Sequence, residues 1–219
     1  MPSSPPFHIT AMLEHVLKVQ PTSVIDIGVG FGKWGVLCRD TLDILEERYT
    51  KEDWKVRIDG IEAFPEYANP MYEYIYNNIY YGDALEVVDT IGEYDLAILG
   101  DVIEHFTKDV GQNLLNKLSK KCKFILISSP TKFFEQHLFN NPFEEHKSLW
   151  GLDDFKDYTF DYDEVLDYTF IALLDCKKTG KIKRRQKVSS KLVYSMKSMR
   201  SHPKLATLVK AGLIKLIPT

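Results

Sequence analysis

Short apolar runs rich in β-branched residues alternate with longer segments of helical spacing as far as residue 176. This alternation constrains the fold more than any other feature, because strands separated by helical crossovers pair in parallel and build a doubly wound α/β sheet. The last two runs are only five residues apart, too few for a helical crossover, so we predict that they pair antiparallel at one edge. The predicted seven strands cover residues 23–27, 56–61, 78–81, 94–99, 123–128, 158–162 and 168–174. The predicted helices cover residues 10–19, 33–48, 65–74, 84–91 and 108–120.

The charge of the chain is divided near residue 176. Residues 1–176 contain 15 basic and 31 acidic side chains, a net charge of −16, whereas residues 177–219 contain 13 basic side chains and no acidic one. A single globular surface normally intersperses both signs. We therefore predict one α/β domain over residues 1–176 and a basic amphipathic extension over residues 177–219.

Composition narrows the cellular setting. The chain has no run of about 20 apolar residues that would cross a bilayer, and its start, MPSSPPFH, lacks the basic and apolar regions of a signal peptide. Cys38, Cys122 and Cys176 form no C-x-x-C pair, so neither a disulfide framework nor a thiolate zinc site is predicted. We expect a cytoplasmic protein, with peripheral attachment to a membrane as the alternative that the basic extension allows.

The sequence SVIDIGVGFGKWG, residues 23–35, joins a buried strand to a helix. Gly28, Gly30 and Gly32 allow a sharp turn and close approach of a ligand, and the helix N-terminus offers free N–H groups to an anion. An overlapping G-x-G-x-x-G also fits a nicotinamide dinucleotide. Asp26 argues against that cofactor, because a carboxylate at the strand tip repels a pyrophosphate but accepts hydrogen bonds, directly or through water, from an ammonium group. S-adenosylmethionine (SAM) presents an ammonium, a carboxylate and an adenosine together, so we predict a SAM site.

With its D-x-G-x-G-x-G loop, the sequence resembles the class I SAM-dependent methyltransferases over roughly residues 10–176. The resemblance implies cofactor binding by further residues. Glu62 matches the acidic residue that holds the ribose hydroxyls, a diol from which one carboxylate can accept two hydrogen bonds. Asp83 and Ala84 match the position that reads the adenine edge, and Asp101 follows the fourth strand in the family's fourth motif.

Two acidic residues and a histidine follow the fourth predicted strand. If a helical turn begins at Asp101, Glu104 and His105 stand three and four positions later on the same face, at the edge where open α/β sheets bind ligands. His105 then suits a general base that takes a hydroxyl proton, because the ordinary pKa of histidine lies near neutrality. Alternatively, Glu104, His105 and a second histidine bind a divalent cation that polarises the acceptor hydroxyl.

The second histidine is expected in the 28-residue connection after the fifth strand, a segment that we predict covers the active site. His146 there resembles the later histidine of small-RNA 3′-terminal 2′-O-methyltransferases, which use it with E-x-x-E-H to bind a metal. The resemblance implies a metal site of Glu104, His105 and His146. Because Asp101 stands where those relatives have Glu, and the interval to His146 differs from theirs, we favour a base or orienting role for His105 over the metal site. Glu104 beside it is the second predicted catalytic residue.

Beyond the charged run of residues 177–187, apolar residues at helical spacing predict two short basic amphipathic helices. Such helices can dock on the acidic domain, contact a partner protein, lie on an anionic membrane face or bind nucleic acid. Nucleic acid is the least favoured partner, because Tyr194 is the tail's single aromatic residue available for base stacking.

Together these features predict a SAM-dependent methyltransferase that acts on an oxygen of a small-molecule or glycan-like acceptor. A divalent cation is an optional addition to SAM. One alternative is an RNA 2′-O-methyltransferase with a metal, although an acidic domain suits a polyanion poorly. Another is a non-catalytic SAM-binding partner protein.

Overall fold

A computed structural model describes residues 3–136, 140–182 and 185–189. Its strands are β1 Ser23–Ile27, β2 Arg57–Glu62, β3 Asn78–Tyr81, β4 Tyr94–Gly100, β5 Cys122–Pro130, β6 Thr159–Val165, β7 Thr169–Asp175 and β8 Arg185–Ser189. Its α-helices are α1 Ile9–Val19, α2 Lys33–Leu42, α3 Pro70–Ile75, α4 Ala84–Thr90 and α5 Lys108–Lys121. The strands form one sheet in the order β3-β2-β1-β4-β5-β7-β6-β8.

The predicted doubly wound sheet is confirmed. Strands β1 to β5 pair in parallel, and β7 lies antiparallel between β5 and β6. The strand order reverses beside β1, where β2 continues the sheet on one side and β4 on the other. Such a reversal opens a crevice at the carboxyl ends of the strands, and this is where open α/β sheets bind ligands.

The sheet continues beyond residue 176. Strand β8 pairs in parallel with β6, and the register places Asp161 opposite Arg185 and Asp163 opposite Lys187. Just before it, the Ile182 side chain is buried in the core. The edge of β6 that β7 leaves unpaired favours this addition. The predicted helices of the tail lie outside the described residues, and the domain boundary stays a prediction.

Apolar side chains fill both faces of the sheet. Residues of α1, α2 and α3 pack with one set of strand side chains, and those of α4 and α5 with the other.

Two helices differ from the prediction. Helix α2 ends at Leu42, because buried Asp43 instead accepts hydrogen bonds from Arg48 Nε and Lys55 N. The predicted helix 65–74 is a 3-10 turn followed by α3, because Pro70 keeps Asn69 extended and starts a new helix.

Helices of a length and hydrophobicity that would cross a membrane are absent from the described part of the chain.

Candidate functional site

A cavity of about 620 Å³ lies at the carboxyl ends of β1, β2, β3 and β4. This volume is typical of sites for small organic ligands, which span roughly 300–1,000 Å³. Residues 3–5 border the cavity from the N-terminal side, and parts of residues 130–136 and 140–147 border it from the connection after β5. That connection therefore covers the site, as the sequence predicts.

The glycine loop turns its backbone toward the cavity. Gly28 and Gly30 line it, and both have positive φ, +73° and +53°. A Cβ on Gly28 would come within 2.8 Å of Val102 Cγ2, so a side chain there would be strained and would crowd the cavity wall. Gly32 has φ +91° and caps the N-terminus of α2, outside the cavity lining. Because Gly28 and Gly30 have no side chain, a ligand can lie directly against the backbone of the loop.

Asp26 lies behind the loop and does not line the cavity. Its side chain is buried, and Oδ2 accepts a hydrogen bond from Tyr76 Oη at 2.7 Å. Burial, reinforced by nearby Glu62, raises the pKa of Asp26 to about 7. This position differs from the predicted direct contact with the cofactor ammonium, and the water-mediated contact stays a prediction.

Glu62 lines the cavity at the end of β2 and braces the loop. Its Oε2 accepts from Gly30 N at 2.8 Å, and its Oε1 accepts from Phe64 N at 2.9 Å. Burial raises the pKa of Glu62. A carboxylate has about four acceptor sites, so Glu62 retains capacity for the hydroxyls of a ribose.

Asp83 and Ala84 line the cavity at the end of β3, where the sequence places them. Asp83 Oδ1 accepts from Leu85 N at 2.8 Å and caps α4. This bond fixes the start of α4 and leaves Oδ2 without a role in the cap.

Asp101 lines the cavity after β4 in a left-handed conformation, φ +56°. Its N–H donates to Ser128 O at 3.0 Å, and its Oδ2 lies 3.5 Å from His8 Nε2. His8 is fully buried and stacks on Trp34. Burial lowers the pKa of His8, with Asp101 opposing the shift. The sequence does not predict this contact, because no local pattern links His8 to Asp101.

Glu104, His105 and His146 come together at one wall of the cavity. One ligand atom from each lies within 4.8 Å of the others, although the predicted helical turn is a 3-10 turn over Ile103–His105. Asp101 is not one of these three residues, although it lines the same cavity as Glu104 and His105. Glu104 is 2% exposed, and neither of its carboxylate oxygens hydrogen-bonds to a described residue. Burial and the charge of Asp101 raise its pKa strongly.

The two histidines present neutral imidazoles. His105 Nδ1 lies 3.2 Å from Glu145 O, and because a carbonyl only accepts, Nδ1 carries the proton and Nε2 keeps its lone pair. Burial lowers the pKa of His105 to about 4, and burial also lowers the pKa of His146. Two imidazoles and a carboxylate can take up a proton or ligate a first-row divalent metal.

A second polar group, which sequence reasoning misses, borders the same cavity. Tyr67 Oη donates to Glu144 Oε1 at 3.1 Å, and Asn141 Nδ2 donates to Tyr67 Oη at 3.1 Å. Burial, with Glu144 and Glu62 nearby, raises the pKa of Tyr67 to about 12. The contact joins the turn after β2 to the connection after β5, 77 residues apart in sequence, so no short motif could reveal it.

Solved structures of methyltransferases share this architecture. A SAM-dependent methyltransferase from Archaeoglobus fulgidus aligns with 76% of this chain and 91% of its own, at 15% identity and a TM-score of 0.52. The N-terminal domain of EvdMO1 with S-adenosylhomocysteine (SAH) bound aligns with 78% of this chain and 81% of its own, at 11% identity and a TM-score of 0.52. Mitomycin 7-O-methyltransferase MmcR aligns with 77% of this chain and 54% of its own, at 14% identity and a TM-score of 0.53. No family model and no curated protein matches the sequence. The chain has the fold of the class I SAM-dependent methyltransferases.

Proposed function

We propose that this protein is a SAM-dependent methyltransferase that methylates an oxygen of a small-molecule or sugar-like acceptor. The observation that carries the proposal is the cavity at the strand ends, which the backbone of Gly28 and Gly30 borders together with Glu62, Asp83 and Ala84. These residues fit SAM, because they offer close backbone approach, an acceptor for a diol and a polar edge for a base. The SAH bound to the EvdMO1 domain of the same fold supports this choice.

The residues around Glu104 support catalysis. Bound SAM supplies a methyl carbon that the acceptor oxygen attacks, while the carbon–sulfur bond breaks and its electron pair stays on sulfur. His105 offers Nε2 to the hydroxyl proton, since Nδ1–H is engaged with the Glu145 carbonyl. Burial keeps the ring neutral but lowers its pKa to about 4, so His105 is a weaker base than a free imidazole. The raised pKa of Glu104 favours its protonated form, which donates a hydrogen bond that orients the acceptor. Orientation and proton removal are the main contributions that an enzyme makes to such a transfer.

A metal-assisted version of the reaction is the second candidate. It is favoured by the grouping of Glu104, His105 and His146 within 4.8 Å and by the two neutral imidazoles. These three residues would hold a divalent cation, which would polarise the acceptor hydroxyl. An RNA acceptor, and membrane or protein contacts of the basic tail, stay predictions, because they depend mainly on residues outside the described ones.

Calorimetric titration tests cofactor binding. We expect SAH and SAM to bind with micromolar affinity and NADH to give no heat of binding. Tight NADH binding without a response to SAH would overturn the proposal. If SAH binds but labelled SAM transfers no methyl group to any fraction of a cell extract, the protein is a non-catalytic SAM-binding partner.

Substitution of His105 tests catalysis. His105→Ala should lower turnover by about 100-fold or more, with little change in SAH affinity. If His105 is a base, EDTA has no effect and His146→Ala alters mainly acceptor binding. If the two histidines bind a metal, both variants lose Mn²⁺-dependent activity together. Unfolding of His105→Ala, or loss of SAH binding, would show that His105 is structural and not catalytic.

A further inference from the structure

Glu144 borders the cavity, and one of its two carboxylate oxygens accepts no hydrogen bond from a described residue. Its Oε1 accepts from Tyr67 Oη at 3.1 Å and from Asn141 Nδ2 at 3.5 Å, whereas no described residue donates to Oε2. The residue is 6% exposed and lines the cavity. A carboxylate oxygen at the wall of a cavity can accept a hydrogen bond from a ligand, so a ligand that brings a donor is favoured at this point.

Two neighbouring side chains hold this carboxylate in place. Asn141 Oδ1 accepts from Phe143 N at 2.9 Å, which fixes the amide, and Asn141 Nδ2 then donates to Tyr67 Oη. Tyr67 in turn donates to Glu144 Oε1. Tyr67 and Asn141 are each 6% exposed. The tyrosine hydroxyl is therefore occupied as both donor and acceptor, and the free binding capacity of the group lies on Glu144.

The remainder of the cavity is unfavourable for an anionic methyl acceptor. Four further acidic residues line it: Glu62, Asp83, Asp101 and Glu104. Among its described lining residues the only Lys or Arg side chains are Lys33 and Lys147. The Lys33 ammonium donates to Ser4 O, and Lys147 is exposed at the rim. An anionic acceptor would share the cavity with the carboxylates of Glu62, Asp83 and Asp101 in a medium of low dielectric constant.

The mouth of the cavity is aromatic. Four ring side chains that line it remain 38–48% exposed: Phe31, Phe134, Phe143 and Tyr168. Exposed aromatic side chains beside buried polar groups suit a ligand that has one apolar face and one polar edge.

Resting on the proposed function, we infer that the methyl acceptor is a small molecule without anionic groups that donates a hydrogen bond from a hydroxyl or ammonium group to Glu144 Oε2. Glu144 contacts the acceptor and determines specificity, and Tyr67 and Asn141 are positioning residues. The bond would use the carboxylate oxygen that no described residue engages, and the small number of Lys and Arg side chains in the described lining would select against an anionic acceptor.

Ligand-observed NMR on the SAH complex tests this selection with three matched probes: 3-phenoxypropane-1,2-diol, 2-phenoxyethylamine and phenoxyacetate. All three share a phenyl ring for the aromatic mouth and differ in the group that reaches Glu144. We expect the diol or the amine to bind at least tenfold more tightly than phenoxyacetate. Equal or tighter binding of phenoxyacetate, or no binding of the diol and the amine, overturns the inference.

Substitutions test whether Glu144 causes the preference for the diol or the amine over phenoxyacetate. Glu144→Gln keeps the shape but replaces Oε2 with an N–H₂ donor, so the preference over phenoxyacetate should fall by about tenfold. Glu135→Gln, an exposed carboxylate on the same connection and outside the cavity lining, is the matched control and should keep the preference. Tyr67→Phe should reduce the preference by more than it changes SAH affinity. If Tyr67→Phe lowers Tm while the preference stays intact, Tyr67 has no positioning role.

SAH affinity, measured by calorimetry on the wild-type protein, separates the two proposals. If SAH does not bind, the proposed function fails. If SAH binds and the preference for donor-bearing probes is absent, only the inference about Glu144 fails.

Discussion

Two buried carboxylates beside the glycine loop make different contacts. Asp26 is turned away from the cavity and bonded to Tyr76, whereas Glu62 borders the cavity and accepts hydrogen bonds from the loop and from Phe64. Burial raises the pKa of both. We therefore expect ligand binding at the loop to depend directly on Glu62, and on Asp26 through water or through the support it gives to the loop.

Glu62→Ala should weaken SAH binding by about 1 to 3 kcal/mol, the usual cost of losing hydrogen bonds to a charged group. Part of this loss reflects the Gly30 N–H, which no longer has its acceptor. Isothermal titration calorimetry measures the affinity, and a thermal melt shows that the variant is folded. Glu66→Ala, an exposed carboxylate on the next turn, should bind SAH as the wild type does. Equal affinity of Glu62→Ala and Glu66→Ala would contradict a role for Glu62 in the site.

Local sequence predicts the site residues that follow strand ends, and it misses those paired across the chain. Glu62 and His105 can be found because each stands a fixed distance past an apolar run, and the end of a parallel strand points at the crevice. The partners of Glu144 and of Asp26 cannot be found in this way. Tyr67 is 77 residues from Glu144, and Tyr76 is 50 residues from Asp26, so only the folded chain brings them together.

At the scale of elements, helix α2 lies unusually close to the segment after α3. A Cβ on Gly35 would lie 2.2 Å from Tyr76 Cζ, and Gly35 N donates to Tyr76 Oη at 3.2 Å. The same hydroxyl donates to Asp26. The tyrosine thereby joins the helix, the first strand and the base of the glycine loop at one point.

Gly35→Ala should lower the free energy of unfolding by about 1 to 3 kcal/mol, as expected when a packed core is overfilled. It should also weaken SAH binding, because displacement of the Tyr76 ring leaves Asp26 buried without its donor. Urea denaturation and calorimetry measure the two effects. Gly92→Ala is the control, since a Cβ there meets no atom within 4 Å. A Gly35→Ala protein as stable as the Gly92→Ala protein would show that the ring moves aside without cost.

The sequence predicts whether a segment is a helix or a strand more accurately than it predicts the first and last residues of that segment. Period and β-branching predict the first seven strands, including the antiparallel pair, because burial on both faces leaves long apolar runs. The early end of α2 depends on Asp43, whose partner Lys55 N is twelve residues away. Strand β8 reads as a basic linker by composition, and it joins the sheet because β6 leaves an open edge.

At the scale of the whole molecule, two truncations separate the sheet from the tail. Removal of everything after Ser189 should leave Tm and SAH affinity unchanged, because the described sheet and cavity precede residue 190. Removal of everything after Lys178 also deletes buried Ile182 and β8. That protein should keep its SAH affinity but melt at a lower temperature and aggregate through the exposed β6 edge. Scanning calorimetry and light scattering distinguish the two, and identical melting of both would show that β8 adds no stability.

Residues 3–5 border the cavity, and hydrogen bonds of Ser4 hold them there. Ser4 Oγ donates to Gly100 O at 3.2 Å and accepts from Trp34 Nε1 at 3.2 Å, while its carbonyl accepts from Lys33. A few such bonds break and re-form on the microsecond-to-millisecond timescale of small covering segments. If the proposed function holds, these bonds have to break before spent cofactor can leave on the N-terminal side of the cavity.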